Sequence, residues 1–175
     1  MKSSIRFAVL SLAAALPAAA HATIYLTLEQ AQAQMLPGQH LTAVPVTLND
    51  AQFKAIVQDS GEQPLSRDLK AWKAADGSWF ILDQVVGKHE FITYAVTLDH
   101  TGAVKGVEIL DYRETFGGQV RDPAWRAQFT GKHHGDSLKL GKDVKNISGA
   151  TLSSKHITDG VRRLLSTYAI VLSKL

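Results

Sequence analysis

The sequence predicts an α+β fold, a single domain in which an antiparallel sheet is covered by a C-terminal helix and short N-terminal helices. Two patterns carry most of that expectation. From Leu69 the hydrophobic period is two, over residues 69–86 broken by Asp76-Gly77 and over residues 91–110 broken by Asp99-His100-Thr101-Gly102. Strands joined by such short turns pair antiparallel. Residues 153–173 instead repeat at the helical period, with Ile157, Val161, Leu164, Leu165, Tyr168 and Leu172 on one stripe. Burying that stripe contributes about 1.5–3 kcal/mol per large side chain before entropy is charged.

Residues 1–22 read as a secretory signal rather than as part of the fold. Lys2 and Arg6 precede an apolar stretch, Pro17 breaks it, and Ala20-His21-Ala22 forms a small-x-small cleavage site. The apolar run is shorter than the roughly 20 residues that cross a bilayer. Cleavage before Thr23 and a periplasmic location are the expectation. Thr27 and Gln30 then fit a capping box opening a short helix that stops at Pro37-Gly38. Residues 41–48 alternate as a strand weakened by Pro45. Asn49 caps a second helix bearing Phe53, Ile56 and Val57 and ending at Ser60-Gly61, and residues 62–68 form a loop. Beyond the two hairpins, Asp122-Pro123 starts a short helix to Phe129, followed by a glycine-rich basic loop over residues 131–141. The organisation is therefore a signal (1–22), an N-terminal helix-and-strand extension (23–68) and a main domain (69–175).

The 175 residues carry 19 Lys+Arg against 16 Asp+Glu, a net charge of +3. Lys2 and Arg6 leave with the signal, so the processed chain is nearly neutral and its charges are interspersed. It has no electrostatic footprint for nucleic acid. Cysteine is absent, which excludes a cysteine-borne lipid anchor, a thiolate-bound iron–sulfur cluster and a thiol redox pair. His133 and His134 are adjacent in a loop, without the spacing of a metal site, and no metal is expected. Trp72, Trp79 and Trp125 are read as core residues.

The sharpest local feature is Asn146-Ile147-Ser148-Gly149-Ala150-Thr151-Leu152-Ser153-Ser154, directly ahead of the last helix. Small residues let a ligand approach the backbone, and the unpaired N–H groups of a helix start, with its dipole, suit a phosphate. Ser153 or Ser154 acting as an ordinary N-cap explains the same residues without a ligand.

This S-G-A-T segment resembles the attachment motif of the FMN-binding domain family, which includes periplasmic subunits of the Rnf complex and of the sodium-pumping quinone reductase. The resemblance extends to Val86-Gly87-Lys88-His89-Glu90, residues 102–107, Tyr112-Arg113-Glu114-Thr115 with Gly117-Gly118, and Gln128-Phe129-Thr130-Gly131-Lys132. It covers residues 77–172 in the family's order. It implies FMN joined to Thr151 by a phosphodiester that a flavin transferase makes. Ser148, Gly149, Ala150, Leu152 (by its backbone) and Ser153 would surround the phosphate, and Lys88, Glu114 and Lys132 would approach the ring or ribityl chain. One departure stands out: the acidic residue of the family pattern, six positions before the acceptor, is Lys145 here, and Asp143 lies out of register. The resemblance implies an exported electron carrier working with a membrane or periplasmic electron-transfer protein. A periplasmic flavin reductase acting on a small acceptor, and a non-redox anion-binding module, are the alternatives.

Overall fold

The computed structural model describes residues 23–175, and the predicted signal segment lies outside the described residues. In chain order the elements are β1 (Thr23–Ile24), α1 (Leu28–Met35), β2 (Leu41–Thr47), α2 (Asp50–Ser60), β3 (Asp68–Ala74), β4 (Trp79–Val86), β5 (Phe91–Leu98), β6 (Val104–Tyr112), α3 (Pro123–Arg126) and α4 (Thr151–Ile170). The fold is α+β, as expected. All the strands join one antiparallel sheet in the order β1-β6-β5-β4-β3-β2.

Local chemistry sets most boundaries. Thr27 and Gln30 close a reciprocal capping box on α1, and Asn49 and Gln52 do the same for α2. Pro45 is tolerated in β2 because that strand is the sheet edge, paired only with β3. Asp76-Gly77 turns β3 into β4, with Gly77 N–H donating to Ala74 O. The Asp122 side chain accepts from Ala124 N–H to start α3, with Pro123 in its first turn.

Alternating side chains divide between two cores. On one face Ile81, Val85, Ile92, Tyr94, Val96 and Ile109 pack against Ile157, Val161, Leu164 and Leu165 of α4. On the other, Phe80, Ala95 and Leu110 meet Ala31 and Leu36 of the α1 segment. Trp79 and Trp125 are buried, and Trp72 packs partly buried beside α1. α2 lies against α4, where Ile56 joins Leu48 and Val171.

A buried ion pair ties α4 to the sheet. Arg163 reaches Asp83 Oδ2 at 2.5 Å, Gln63 O at 2.9 Å and Gln84 O at 3.1 Å, while Tyr94 donates its hydroxyl to the same Asp83 oxygen at 3.1 Å. Burial pushes the Tyr94 hydroxyl well above its ordinary value, with the Asp83 charge adding to the shift.

Two expectations need revising. The sheet gains a strand that has no sequence signature, β1, whose Thr23 and Ile24 pair with Tyr112 and Asp111. And α4 begins at Thr151, two residues before the predicted start.

Candidate functional site

The end of β4, the start of β5 and the end of β6 lie at one end of the sheet, because Val86 pairs with Phe91 and Ile92 with Tyr112. The first turn of α4 arrives at the same end. His156 Nδ1 lies 2.5 Å from Val86 O, and Ser153 Oγ lies 3.0 Å from Tyr112 Oη. Between these elements is a cavity of about 450 Å³, lined by Lys88, His89, Glu114, Thr115, Phe116 and the Gly149–Ser153 backbone segment. Its size falls within the range of small-ligand and cofactor sites.

The helix start forms one wall. Ile147 to Ala150 make a turn closed by Ala150 N–H to Ile147 O at 3.0 Å, with Gly149 in third position at φ +81°. The N-cap of α4 is Ala150, which provides no side-chain cap, and the first turn holds no acidic residue. Neither serine caps the helix. Ser154 Oγ donates back to Ala150 O at 2.7 Å, and Ser153 is drawn sideways to Tyr112. A 20-residue helix thus opens onto the cavity with its positive dipole end uncompensated by side chains.

The hydroxyl hydrogens of this wall can be assigned. Tyr112 Oη lies 2.5 Å from Phe116 O, a carbonyl that can only accept, so Tyr112 donates there. Ser153 Oγ must then donate to Tyr112, which leaves Ser153 its backbone N–H to offer a ligand. Burial raises the Tyr112 hydroxyl's pKa, and the Ser153 contact opposes that shift. Gly117 permits this packing: its φ is +97°, and a Cβ there would overlap Tyr112 Oη and lie 3.0 Å from Ala150 Cβ.

Glu114 shapes the facing wall. Its Oε1 accepts from His89 N–H at 2.6 Å and Glu90 N–H at 3.1 Å, fixing the β4–β5 turn. Burial raises the carboxyl's pKa, but the backbone N–H groups of His89, Glu90 and Lys88 outweigh it and hold the group below the usual glutamate value. A depressed carboxyl contributes fully at neutral pH and loses its contribution as pH falls through the folded-state value. The amide ¹H resonances of His89 and Glu90 should therefore titrate together, with an acid midpoint below that of an unperturbed glutamate. In Glu114→Gln that shared titration should vanish; its persistence would assign it to another group.

Phe116 is 81% exposed and Leu152 43% exposed, and both line the cavity. Such large apolar surfaces beside backbone donors suit a ligand with a flat ring and an anionic end.

Of the residues picked from sequence, Thr151, Gly149, Ala150, Leu152, Ser153, Lys88 and Glu114 all border this cavity. Ser148 sits within the turn behind it, outside the lining. Lys132 is placed elsewhere: its carbonyl accepts from Val104 N–H at the start of β6, roughly 25 Å of strand from Tyr112. Its match to a Q-F-x-G-K segment has another meaning. Gln128 Oε1 accepts from Lys145 N–H at 2.9 Å and Trp125 Nε1 donates to Lys145 O at 2.7 Å, so this segment anchors the loop before α4. His89, Thr115 and Phe116 line the cavity without having been singled out. The one signal for them was their place next to Lys88 and Glu114. Asp143 is engaged by Ser137 Oγ at 2.8 Å and Lys139 N–H at 3.2 Å. Away from the cavity, His134 pairs with Asp59 at 2.7 Å, and no group of side chains among the described residues could hold a metal ion.

Comparison with known proteins agrees with this geometry. Residues 87–166 match the model of the FMN-binding domain. No curated protein matches the sequence. The fold is similar to one subunit of the Na(+)-translocating NADH-quinone reductase from Parabacteroides distasonis, at 17% identity and a TM-score of 0.56, covering 86% of this chain and 87% of that one. It is also similar to NqrC from Shewanella oneidensis, at 17% identity and a TM-score of 0.52, covering 74% of this chain and 71% of that one.

Proposed function

We propose, from the premise that residues 87–166 belong to the FMN-binding domain family, that this chain is an exported electron-transfer protein carrying FMN as a phosphodiester on Thr151. The domain's cofactor is FMN. The observation that carries the rest is the uncapped first turn of α4, which presents an exposed Thr151 at the mouth of a cavity.

The residues present fit the group. The N–H groups of the first helical turn suit a phosphodiester that keeps one negative charge. Small Ala150 and Gly149 leave that charge close access to the backbone. Phe116 and Leu152 offer apolar contact to a planar ring, and Lys88 supplies a cation on the opposite wall. Glu114 holds the Lys88–Glu90 turn in place rather than meeting the ring as a free carboxylate. When bound, FMN supplies one- and two-electron redox chemistry. The protein supplies orientation, partial exclusion of water and local charge. A covalent link suits an exported protein, because a cofactor that dissociates outside the cytoplasm is lost by dilution.

Both structural neighbours carry the name of a component of the sodium-translocating NADH-quinone reductase. On that basis the partner proposed here is a membrane electron-transfer complex, with a flavin transferase as the loading enzyme. Among the described residues no helix is long and apolar enough to cross a membrane, so the chain would meet such a complex through its surface.

Co-expression with a flavin transferase, denaturation and intact-mass measurement test the reading. The wild type should retain yellow colour on the denatured chain and gain the mass of one FMN less water. Thr151→Val should gain none while unfolding at a similar temperature. A bare wild-type mass would overturn the ester. Sequencing the exported protein from its amino terminus should begin at Thr23, and a retained signal segment would overturn the export reading.

A further inference from the structure

Asn146 lies five residues before Thr151, and its carboxamide touches two hydroxyls. As placed, Nδ2 faces Thr151 Oγ1 at 3.2 Å and Oδ1 faces Ser154 Oγ at 3.2 Å. Turning the amide over exchanges two atoms of nearly equal size and keeps both contacts, so the partners' chemistry decides the orientation. Ser154 has one hydroxyl hydrogen. Its shortest contact is Ala150 O at 2.7 Å, a carbonyl that can only accept, while the contacts to Asn146 and Thr151 O are 3.2 and 3.4 Å. With that hydrogen spent on Ala150, Ser154 meets Asn146 as an acceptor. This turns Nδ2 toward Ser154 and Oδ1 toward Thr151.

We infer that Asn146 is a positioning residue for flavin attachment: its side-chain carbonyl accepts the Thr151 hydroxyl hydrogen and fixes the direction in which Oγ1 presents its lone pairs. The inference rests on the proposed ester at Thr151. Neighbouring contacts hold Asn146 in place, since Lys145 is pinned on both backbone groups by Trp125 and Gln128. Lys145 cannot do this work itself, because an ammonium group has no acceptor. Asn146 thus provides, one position later, an oxygen acceptor where the family pattern has a carboxylate.

In the transfer, Thr151 Oγ1 bonds to the flavin-side phosphorus of a flavin nucleotide anhydride, and the anhydride P–O bond breaks. The hydroxyl proton passes through solvent to the departing phosphate. Asn146 takes no proton; it holds the nucleophile, and orientation of this kind is worth orders of magnitude in rate when lost.

The test uses the full chain, a flavin transferase and its flavin nucleotide substrate, with initial loading rates read by intact mass. Asn146→Ala should slow loading about tenfold or more at saturating transferase, with the half-saturating transferase concentration unchanged. Asn146→Asp, which keeps an acceptor for Thr151 and gives up the donor to Ser154, should load at close to the wild-type rate. Loading of Asn146→Ala at the wild-type rate overturns the proposal. So does an Asn146→Asp variant as slow as the alanine one, since the donor would then be the part that matters. A wild-type chain that takes up no flavin mass overturns the Thr151 ester itself and is thereby distinguished from a failure at Asn146.

Discussion

Replacing Asp83 with alanine is expected to destabilise the fold by about 3–5 kcal/mol, a large share of the roughly 5–15 kcal/mol that holds a domain together. The Arg163 side chain is 6% exposed and points from α4 into the sheet. With Asp83 gone, its charge would keep only the carbonyls of Gln63 and Gln84, and Tyr94 would lose the acceptor of its buried hydroxyl. Most of the cost is that of a buried charge left without a counter-charge, not the intrinsic worth of the pair. A double replacement of Asp83 and Arg163 by leucine and methionine should therefore recover much of the loss. The surface pair Arg67–Asp50, whose side chains are 46% and 83% exposed, should cost under about 1 kcal/mol when broken. Urea unfolding of the variants separates these cases, and equal losses at both pairs would contradict the argument.

Gly117→Ala is expected to cost about 3 kcal/mol and to impair flavin loading at the same time. A residue with a side chain pays about 1–3 kcal/mol to adopt a left-handed backbone conformation, and crowding a packed site adds a similar amount. The new methyl would press on Tyr112 Oη, and through it on Ser153 and the first turn of α4. Stability and loading should fall together. Gly118, whose added Cβ meets nothing within 4 Å, is the control: Gly118→Ala should leave loading unchanged. If Gly117→Ala unfolded at the wild-type urea concentration, the close packing around Tyr112 would not be a constraint.

The parts of the structure legible in the sequence are those fixed by neighbours in the chain. Thr27 and Gln30, Asn49, Asp76-Gly77 and Asp122-Pro123 each place an element boundary through contacts a few residues apart. What escaped depends on distant partners. Thr23 and Ile24 become a strand only because the edge of β6 is available beside Tyr112 and Asp111. Ser153 and Ser154 have the composition of helix caps, yet Tyr112 and Ala150 claim their hydroxyls and the helix starts earlier. Lys132 has a matching motif position, but the chain path sends it to the other end of β6. The role of Trp125 lies in its indole N–H rather than its ring, since it holds the carbonyl of Lys145. The cavity's helical wall was legible because glycine, alanine and threonine there are adjacent in sequence. The clamp from Glu114 to His89, 25 residues apart in sequence, could be seen only in three dimensions.

An uncompensated helix end is also a thermodynamic handle. An anion that docks on the first turn of α4 binds the folded chain and has no such site on the unfolded one, so occupancy and folding are linked by mass action. A reversible ligand would confer that gain only while its concentration lasted. An ester at Thr151 would make the gain permanent, because the stabilising charge could no longer diffuse away. The loaded and bare proteins would then differ in lifetime as well as in colour. Proteases that act on transiently opened chains would remove the bare form first, so turnover itself would select for molecules able to carry electrons.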